Sequence, residues 1–223
     1  QARIALHNGN AEESLAMYQE GLALAREKRL PNDLVIDHLN AIAELLYERF
    51  GSHQQALIFS DEAFALLAEG QHSSITTWLS FHTRGRIVFN MGEFEEGMRL
   101  WTTAQNIGFD AGQQALGVHS ANDIITQLYV QEEYTLALEY ARSNEALISP
   151  LPFTRTAMQL LLIIARILLK LNELQPAREK LLQALERAEA ITAPLLSFQL
   201  ELAWGRLHFA EGDATEARNR ANT

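Results

Sequence analysis

The sequence predicts an all-α protein, a solenoid of antiparallel helix pairs with about five to six pairs in 223 residues. Apolar residues recur at three- and four-residue spacing along the chain, which is the period of an amphipathic helix. A short turn recurs every 40 to 42 residues, and such self-similarity is typical of stacked helical repeats. No alternating apolar and polar stretch is long enough to favour a strand.

Six turns mark the repeat. They are Gly9-Asn10-Ala11, Gly51-Ser52-His53, Gly92-Glu93-Phe94, Glu132-Glu133-Tyr134, Asn172-Glu173-Leu174 and Gly212-Asp213-Ala214. A small residue stands five positions after the start of each turn: Ser14, Ala56, Gly97, Ala137, Ala177 and Ala217. A small side chain at this point lets the two helices of a pair approach closely. A second small residue two turns later, as at Ala63, Ala104 and Ala184, makes room for the next pair.

The helices follow from the turns. The first helix of each pair is predicted at 33–50, 74–91, 113–131, 153–171 and 194–210. The second helices are predicted at 11–28, 54–69, 95–107, 135–148 and 175–190, with another that begins at 214. Prolines support these bounds, because Pro31, Pro150, Pro152 and Pro194 fall between pairs, where they stop helices. Pro176 falls in a first turn, where its missing N–H costs little.

The third pair resembles the tetratricopeptide repeat (TPR). The residues that carry the resemblance are Gly85, Gly92, Phe94, Gly97, Trp101 and Ala104, and most of the same positions match in the sixth pair at Trp204, Gly205, Gly212, Ala214 and Ala217. Glu132 and Asn172 replace the turn glycine. Glu44 stands at the small position of the first helix in its pair, unless the turn at Gly51 holds one extra residue.

This resemblance covers nearly the whole chain and implies a right-handed superhelix. Units of 40 to 42 residues are longer than the usual TPR unit of about 34. Long units are similar to those of MalT-type regulators, bacterial diguanylate and adenylate cyclases that carry TPRs, peptide-receptor regulators of Gram-positive bacteria, and kinesin light chain. Glutamine-rich helices favour the bacterial families. We expect one repeat domain over 1–223, as a fragment of a longer chain.

Composition excludes several classes of protein. The net charge of −10 makes a nucleic-acid backbone a poor partner, and the absence of cysteine excludes disulfides and thiolate metal sites. The most apolar stretch, 157–171, has only 15 residues and contains Gln159, Arg166 and Lys170, so it predicts a buried helix and not a membrane span. No signal peptide is visible. These observations favour a cytoplasmic protein.

No catalytic motif is present in the sequence. It lacks a phosphate-binding glycine loop, a Gly-x-Ser-x-Gly elbow and a His-Glu-x-x-His motif. None of the seven histidines has another histidine three or four residues away. We therefore expect no enzyme activity in this region, no cofactor and no metal site. The abundant carboxylates fall mostly in turns and second helices, which predicts a solvated outer face.

The first helices are the candidate binding surface, because they line the concave side of such a solenoid. Equivalent positions along them predict a groove that contains Arg86, Arg166, Arg206, His82, His119, Asn122, Phe89, Tyr129, Leu169 and Phe209. The three arginines share one position in their pairs, and arginine suits bidentate capture of carboxylate or phosphate. Large apolar groups beside arginine are typical of interface hot spots.

Structural alternatives stay open for these residues. The arginines could instead form ion pairs with acidic groups on adjacent helices, and the aromatic row could pack against neighbouring first helices. Residues 157–171 carry 12 apolar residues of 15, more than one buried face requires. Either a terminal pair or a partner covers this helix, or the helix is itself a docking patch.

The sequence therefore favours a non-enzymatic module that binds a protein or peptide segment, with an acidic segment as the expected ligand. Such a module would act as sensor or scaffold in a bacterial signalling or transcription-regulatory protein. One alternative is the regulatory domain of a nucleotide cyclase, and another is a small-molecule inducer site of the MalT type. A membrane or direct nucleic-acid contact is not expected, and a homodimer stays open.

Overall fold

A computed structural model describes residue 2 and residues 9–148, 155–188 and 194–221. Eleven α-helices occupy these residues, which confirms the all-α solenoid of sequential antiparallel pairs. In chain order the helices are α1 (Ala11–Glu27), α2 (Asn32–Phe50), α3 (His53–Leu67), α4 (Ser74–Asn90), α5 (Phe94–Asp110), α6 (Gln114–Val130), α7 (Tyr134–Ile148), α8 (Arg155–Lys170), α9 (Leu174–Ala188), α10 (Pro194–Ala210) and α11 (Ala214–Ala221).

The chain divides into two compact units, Gln1–Gly112 and Gln113–Thr223. In the first unit, α2 pairs with α3 and α4 pairs with α5, while α1 packs against α2. In the second unit the pairs are α6–α7, α8–α9 and α10–α11. First helices also contact one another within each unit: α2 packs against α4, and α8 packs against both α6 and α10.

All six predicted turns have the backbone conformation that ends a helix. The first residue of each has a positive φ, which is 83° at Gly9, 63° at Gly51, 96° at Gly92, 63° at Glu132, 60° at Asn172 and 86° at Gly212. Glycine adopts this left-handed conformation without strain. Glu132 and Asn172 adopt it as well, so the geometry of the repeat overrides the usual preference of these residues for a negative φ.

The turn after α2 holds one extra residue, which is the exception that the sequence left open for Glu44. The amide of Ser52 donates to the carbonyl oxygen of Leu46, six positions earlier, at 2.8 Å. In the third pair the amide of Glu93 donates to Val88, only five positions earlier, at 3.0 Å. The register of α2 is therefore shifted by one, and the buried Ala43 takes the small position in place of Glu44.

Close approach of α4 and α5 explains the glycines of the third pair. A Cβ atom added at Gly97 would lie 2.7 Å from the Cβ of Phe89 and 3.1 Å from the carbonyl oxygen of Gly85. One added at Gly85 would lie 2.7 Å from the Cδ1 atom of Trp101. Trp101 is buried, and its indole N–H donates to the carbonyl oxygen of His82 at 3.3 Å.

Some local predictions differ from the structure. Helix α5 runs three residues past the predicted end at 107, to Asp110. Ala217 is partly exposed, whereas the other five small residues after the turns are buried. Pro150 and Pro152, and the predicted helix residues 153–154 and 189–190, lie outside the described residues.

Helix α8 is the centre of the second unit, which decides between the two interpretations of its apolar sequence. Ten of its residues are buried, from Ala157 to Leu168, and α6, α7, α9 and α10 all pack against it. Neighbouring helices of the same unit therefore cover it, and it is not an exposed docking patch. Within the described residues, no helix is long and apolar enough to cross a membrane.

Candidate functional site

The predicted binding residues fall into both units. His82, Arg86 and Phe89 lie on α4 in the first unit. The second unit contains the other seven, which are His119, Asn122 and Tyr129 on α6, Arg166 and Leu169 on α8, and Arg206 and Phe209 on α10.

Two of the residues in the first unit are core residues. His82 is buried and stacks on Trp78, with the ring centroids 4.8 Å apart. Phe89 is also buried, because it stacks on Trp101 at 5.0 Å and meets the edge of Phe94 at 4.9 Å. These side chains present little surface to a ligand, and their contacts assign them to packing.

Arg86 is neutralised within its own unit. One guanidinium nitrogen lies 2.6 Å from a carboxylate oxygen of Glu48, and another lies 3.5 Å from Glu44. The guanidinium also lies over the ring of Tyr47, 5.1 Å from its centroid. Burial raises the pKa of the Tyr47 hydroxyl well above its usual range, against the opposing charge of Arg86. Arg86 therefore follows the alternative of pairing with acidic groups on the adjacent helix.

On α6 in the second unit, Asn122 has a structural role. It is buried, and its side-chain amide donates to the carbonyl oxygen of Thr156 at 3.1 Å, which ties α6 to α8. His119 lies one turn earlier on α6 and is partly exposed.

Tyr129 and Arg166 form a cation–π pair between α6 and α8. The Cζ atom of Arg166 lies 4.7 Å from the ring centroid of Tyr129, and the same ring meets the edge of Tyr134 at 5.5 Å. Such a pair stabilises the guanidinium without neutralising its charge. The Nε atom of Arg166 is buried and has no hydrogen-bond partner among the described residues.

A cavity of about 410 Å³ lies beside this pair; we call it the cationic cavity. Its lining residues are Tyr129, Arg166, Leu169, Lys170, Arg206 and Ala210. The structure thus brings together four of the predicted residues, Tyr129, Arg166, Leu169 and Arg206. Sequence reasoning missed Lys170, although its position four residues after Arg166 places both on one face of α8.

An apolar groove of about 520 Å³ lies beside Arg206, between α10 and α11. It is lined by Leu202, Gly205, Arg206, Phe209, Ala214, Ala217 and Arg218. Phe209 is 74% exposed, a large fraction for an aromatic side chain. Because Arg206 lines both depressions, the apolar groove and the cationic cavity meet at that residue.

This arrangement suits binding. The cationic cavity offers ammonium and guanidinium donors, which recognise carboxylate and phosphate groups. The apolar groove offers a large exposed aromatic beside arginines, a composition that is typical of hot spots in protein interfaces.

Comparison with known proteins identifies the fold class. No protein-family profile matches the sequence, and no curated protein matches it. Among solved structures, aspartyl phosphate phosphatase F from Bacillus subtilis is similar with a TM-score of 0.81 and 12% identity, over 98% of this chain and 56% of that one. A putative kinesin light chain from Podosopora anserina, with nearly identical TPR-like repeats, gives a TM-score of 0.62 and 18% identity over 84% and 91%.

A third similar structure is a Rap protein complexed with Competence and Sporulation Factor, with a TM-score of 0.66 and 15% identity over 98% of this chain and 61% of that one. The chain thus spans little more than half the length of two of these proteins. At such low identity the likeness shows the fold alone. This chain has a TPR-like helical-repeat fold.

Proposed function

We propose that this chain is a non-catalytic module that binds a protein or peptide segment, as sensor or scaffold in a bacterial signalling or transcription-regulatory protein. The observation that supports this most directly is the junction of the apolar groove and the cationic cavity at Arg206. Solenoids of helix pairs commonly bind their partners along an extended surface.

The chemistry of the two depressions predicts the kind of segment. A large apolar side chain would be buried in the groove against Phe209 and Leu202, both of which are exposed. An acidic group close to it in sequence would reach Arg206 at the edge of the cationic cavity. A peptide with an aromatic or aliphatic residue next to acidic residues fits both requirements.

One of the similar structures agrees with the binding part of this proposal. The Rap protein was solved in complex with Competence and Sporulation Factor, so a protein of similar fold holds a bound factor. This likeness supports a binding role for this chain as a proposal.

A peptide-display selection on the 223-residue chain tests the function. Peptides that bind would be synthesised, and their dissociation constants measured by fluorescence anisotropy. We expect selected peptides to combine an apolar residue with acidic residues, and Phe209→Asp to weaken them at least about tenfold, because it places a charge in the apolar groove.

Ile58→Asp is the matched control, since Ile58 is 66% exposed and lies on α3 in the other unit. It should leave the affinity unchanged. A selection that gives no saturable peptide ligand for the folded chain would refute the function. Equal losses in Phe209→Asp and Ile58→Asp would refute the assigned surface.

A small-molecule inducer is the second candidate ligand. The volume of the cationic cavity, about 410 Å³, lies within the range of about 300–1,000 Å³ that is usual for small-molecule sites. A thermal-shift screen with sugars and short peptides separates the two candidates. A sugar that raises the melting temperature while no peptide does so would favour the inducer site.

A further inference from the structure

Among the described residues, each unit contains an arginine–tyrosine pair, and the two pairs occupy equivalent positions of the repeat. Arg86 lies over Tyr47 at 5.1 Å in the first unit, and Arg166 lies over Tyr129 at 4.7 Å in the second. In both cases the arginine is on one first helix and the tyrosine is on the preceding first helix of the same unit. The two pairs can therefore be compared directly.

In the first unit, two glutamates of α2 neutralise the arginine. Glu48 lies 2.6 Å and Glu44 lies 3.5 Å from guanidinium nitrogens of Arg86. Their positions are one residue after Tyr47 and three residues before it.

In the second unit the same two positions carry no charge. Counted from Tyr129, the residues that correspond to Glu44 and Glu48 are Thr126 and Val130. The hydroxyl of Thr126 donates to the carbonyl oxygen of Asn122 at 2.7 Å, and Val130 is 65% exposed. Arg166 thus keeps the aromatic contact but has no ion pair within the described residues.

In α8, which is the next first helix after α6, the same two positions carry positive charges. The positions of Glu44 and Glu48 are occupied in α8 by Arg166 and Lys170, and α8 faces Arg206 on α10. All three cations line the cationic cavity, and the described residues of its lining include no carboxylate. Among the described residues, neither Lys170 nor Arg206 has an ion pair, although the chain as a whole carries a net charge of −10.

Such a cluster needs a compensating charge. Like charges four residues apart destabilise a helix, and three cations around one cavity raise its positive potential. A buried guanidinium N–H that finds no acceptor among the described residues, as at the Nε atom of Arg166, is also unfavourable. An oxyanion in the cavity would remove both costs.

We infer that the cationic cavity binds an oxyanion with at least two negative charges, of the chemistry shared by phosphate monoesters and closely spaced carboxylate pairs. A single carboxylate would leave two of the three cations uncompensated. The guanidinium groups of Arg166 and Arg206 supply paired N–H donors that match either group, and Lys170 supplies a point charge. This inference rests on the proposed function in one respect, since the anion would be the acidic group of the bound segment.

Isothermal titration calorimetry of the 223-residue chain tests the inference. The probes are inorganic phosphate and succinate, each at an ionic strength matched with sodium chloride. Saturable binding of either probe supports the inference, and binding of only one of them assigns the source of the charge. If neither probe binds more than the chloride control predicts, the inference is wrong.

Three variants locate the binding. The double variant Arg166→Gln/Arg206→Gln should weaken binding by about 10- to 100-fold, because it removes two charge-assisted contacts. Thr126→Glu/Val130→Glu recreates in α6 the glutamates of the first unit. The new glutamates should form ion pairs with Arg166 and lower the affinity for the probe by a similar factor, although no cation is removed. Arg86→Gln is the control and should leave the affinity unchanged, since its arginine is already neutralised.

These results also separate the inference from the proposed function. If Arg166→Gln/Arg206→Gln fails to fold, the glutamate variant still decides, and full affinity in that variant would overturn the inference. Peptides that bind through Phe209 while neither anion binds would leave the proposed function intact and refute the cavity as an anion site. Anion binding without any peptide ligand would support the cavity as an anion site and refute the proposed function.

Discussion

Replacing a helical glycine by alanine should destabilise the chain at Gly97 and stabilise it at Gly205. Both residues lie inside helices, α5 and α10, so both substitutions gain the same intrinsic helix propensity of about 1 kcal/mol. The space around the two residues differs, and this difference should decide whether the free energy of unfolding rises or falls.

At Gly97 the new methyl group has no room. It would lie 2.7 Å from the Cβ of Phe89 and 3.1 Å from the carbonyl oxygen of Gly85. Carbon atoms prefer about 3.5–4.0 Å, so Phe89 or the backbone of α4 must move. Phe89 is held between Trp101 and Phe94, and overpacking of this kind costs about 1–3 kcal/mol. With the gain in propensity of about 1 kcal/mol subtracted, we expect Gly97→Ala to lower the free energy of unfolding by up to about 2 kcal/mol.

At Gly205 the methyl group meets only ordinary contacts, 3.4 Å to the carbonyl oxygen of Ala217 and 3.6 Å to the Cβ of Arg220. We therefore expect Gly205→Ala to stabilise the chain by about 0.5–1 kcal/mol. Urea unfolding followed by circular dichroism measures both variants against the parent chain. In thermal unfolding of the same variants, each kcal/mol should move the melting temperature by about 2–4 °C. A stabilised Gly97→Ala variant would refute the close approach of α4 and α5.

The repeat could be predicted from the sequence because its requirements are local. A left-handed residue ends one helix, and a small residue five positions later allows the next helix to pack. The spacing of 40 to 42 residues and the small residue five positions later located the turns even at Glu132 and Asn172, where no glycine marks them. In the structure both residues have a positive φ.

Burial along the first helices was harder to predict, because it depends on the size of side chains on other helices. His82 and Phe89 occupy positions that the repeat directs toward a groove, yet Trp78 and Trp101 enclose them. Equivalent positions hold Asn122 and Leu169 in the second unit, where Asn122 is buried by its link to Thr156 and Leu169 lines the cationic cavity. The position alone does not fix the exposure.

Charge compensation depends in the same way on the preceding repeat. Arg86 and Arg166 are equivalent in sequence, and each lies over a tyrosine. The residues at the two flanking positions of the earlier helix differ, and they are Glu44 and Glu48 in one case and Thr126 and Val130 in the other. The sequence shows these residues, but the extra residue in the turn after α2 hides their correspondence until the register is known.

Two further substitutions test the turns and the loop between α3 and α4. Glu132→Gly should stabilise the chain by about 0.5–1 kcal/mol in urea unfolding, because it relieves a left-handed residue with a φ of 63°. Glu133→Gly, in the same turn without a positive φ, should not, and an equal gain in both would contradict the reasoning. Asp33→Asn should destabilise the chain at neutral pH by about 1–2 kcal/mol, since the carboxylate lies 2.6 Å from the Nδ1 atom of His72 and accepts from the amide of Ser73 at 3.0 Å. The hydrogen bond from His72 lowers the pKa of Asp33 below its usual value of 3.8. A lowered pKa in the folded state means that the stabilisation is present above the unfolded value and is lost as the pH falls through the folded value. The difference between the parent chain and Asp33→Asn should therefore shrink in acid, and a difference that stays constant from neutral pH to below the pKa of Asp33 would show that its charge contributes nothing.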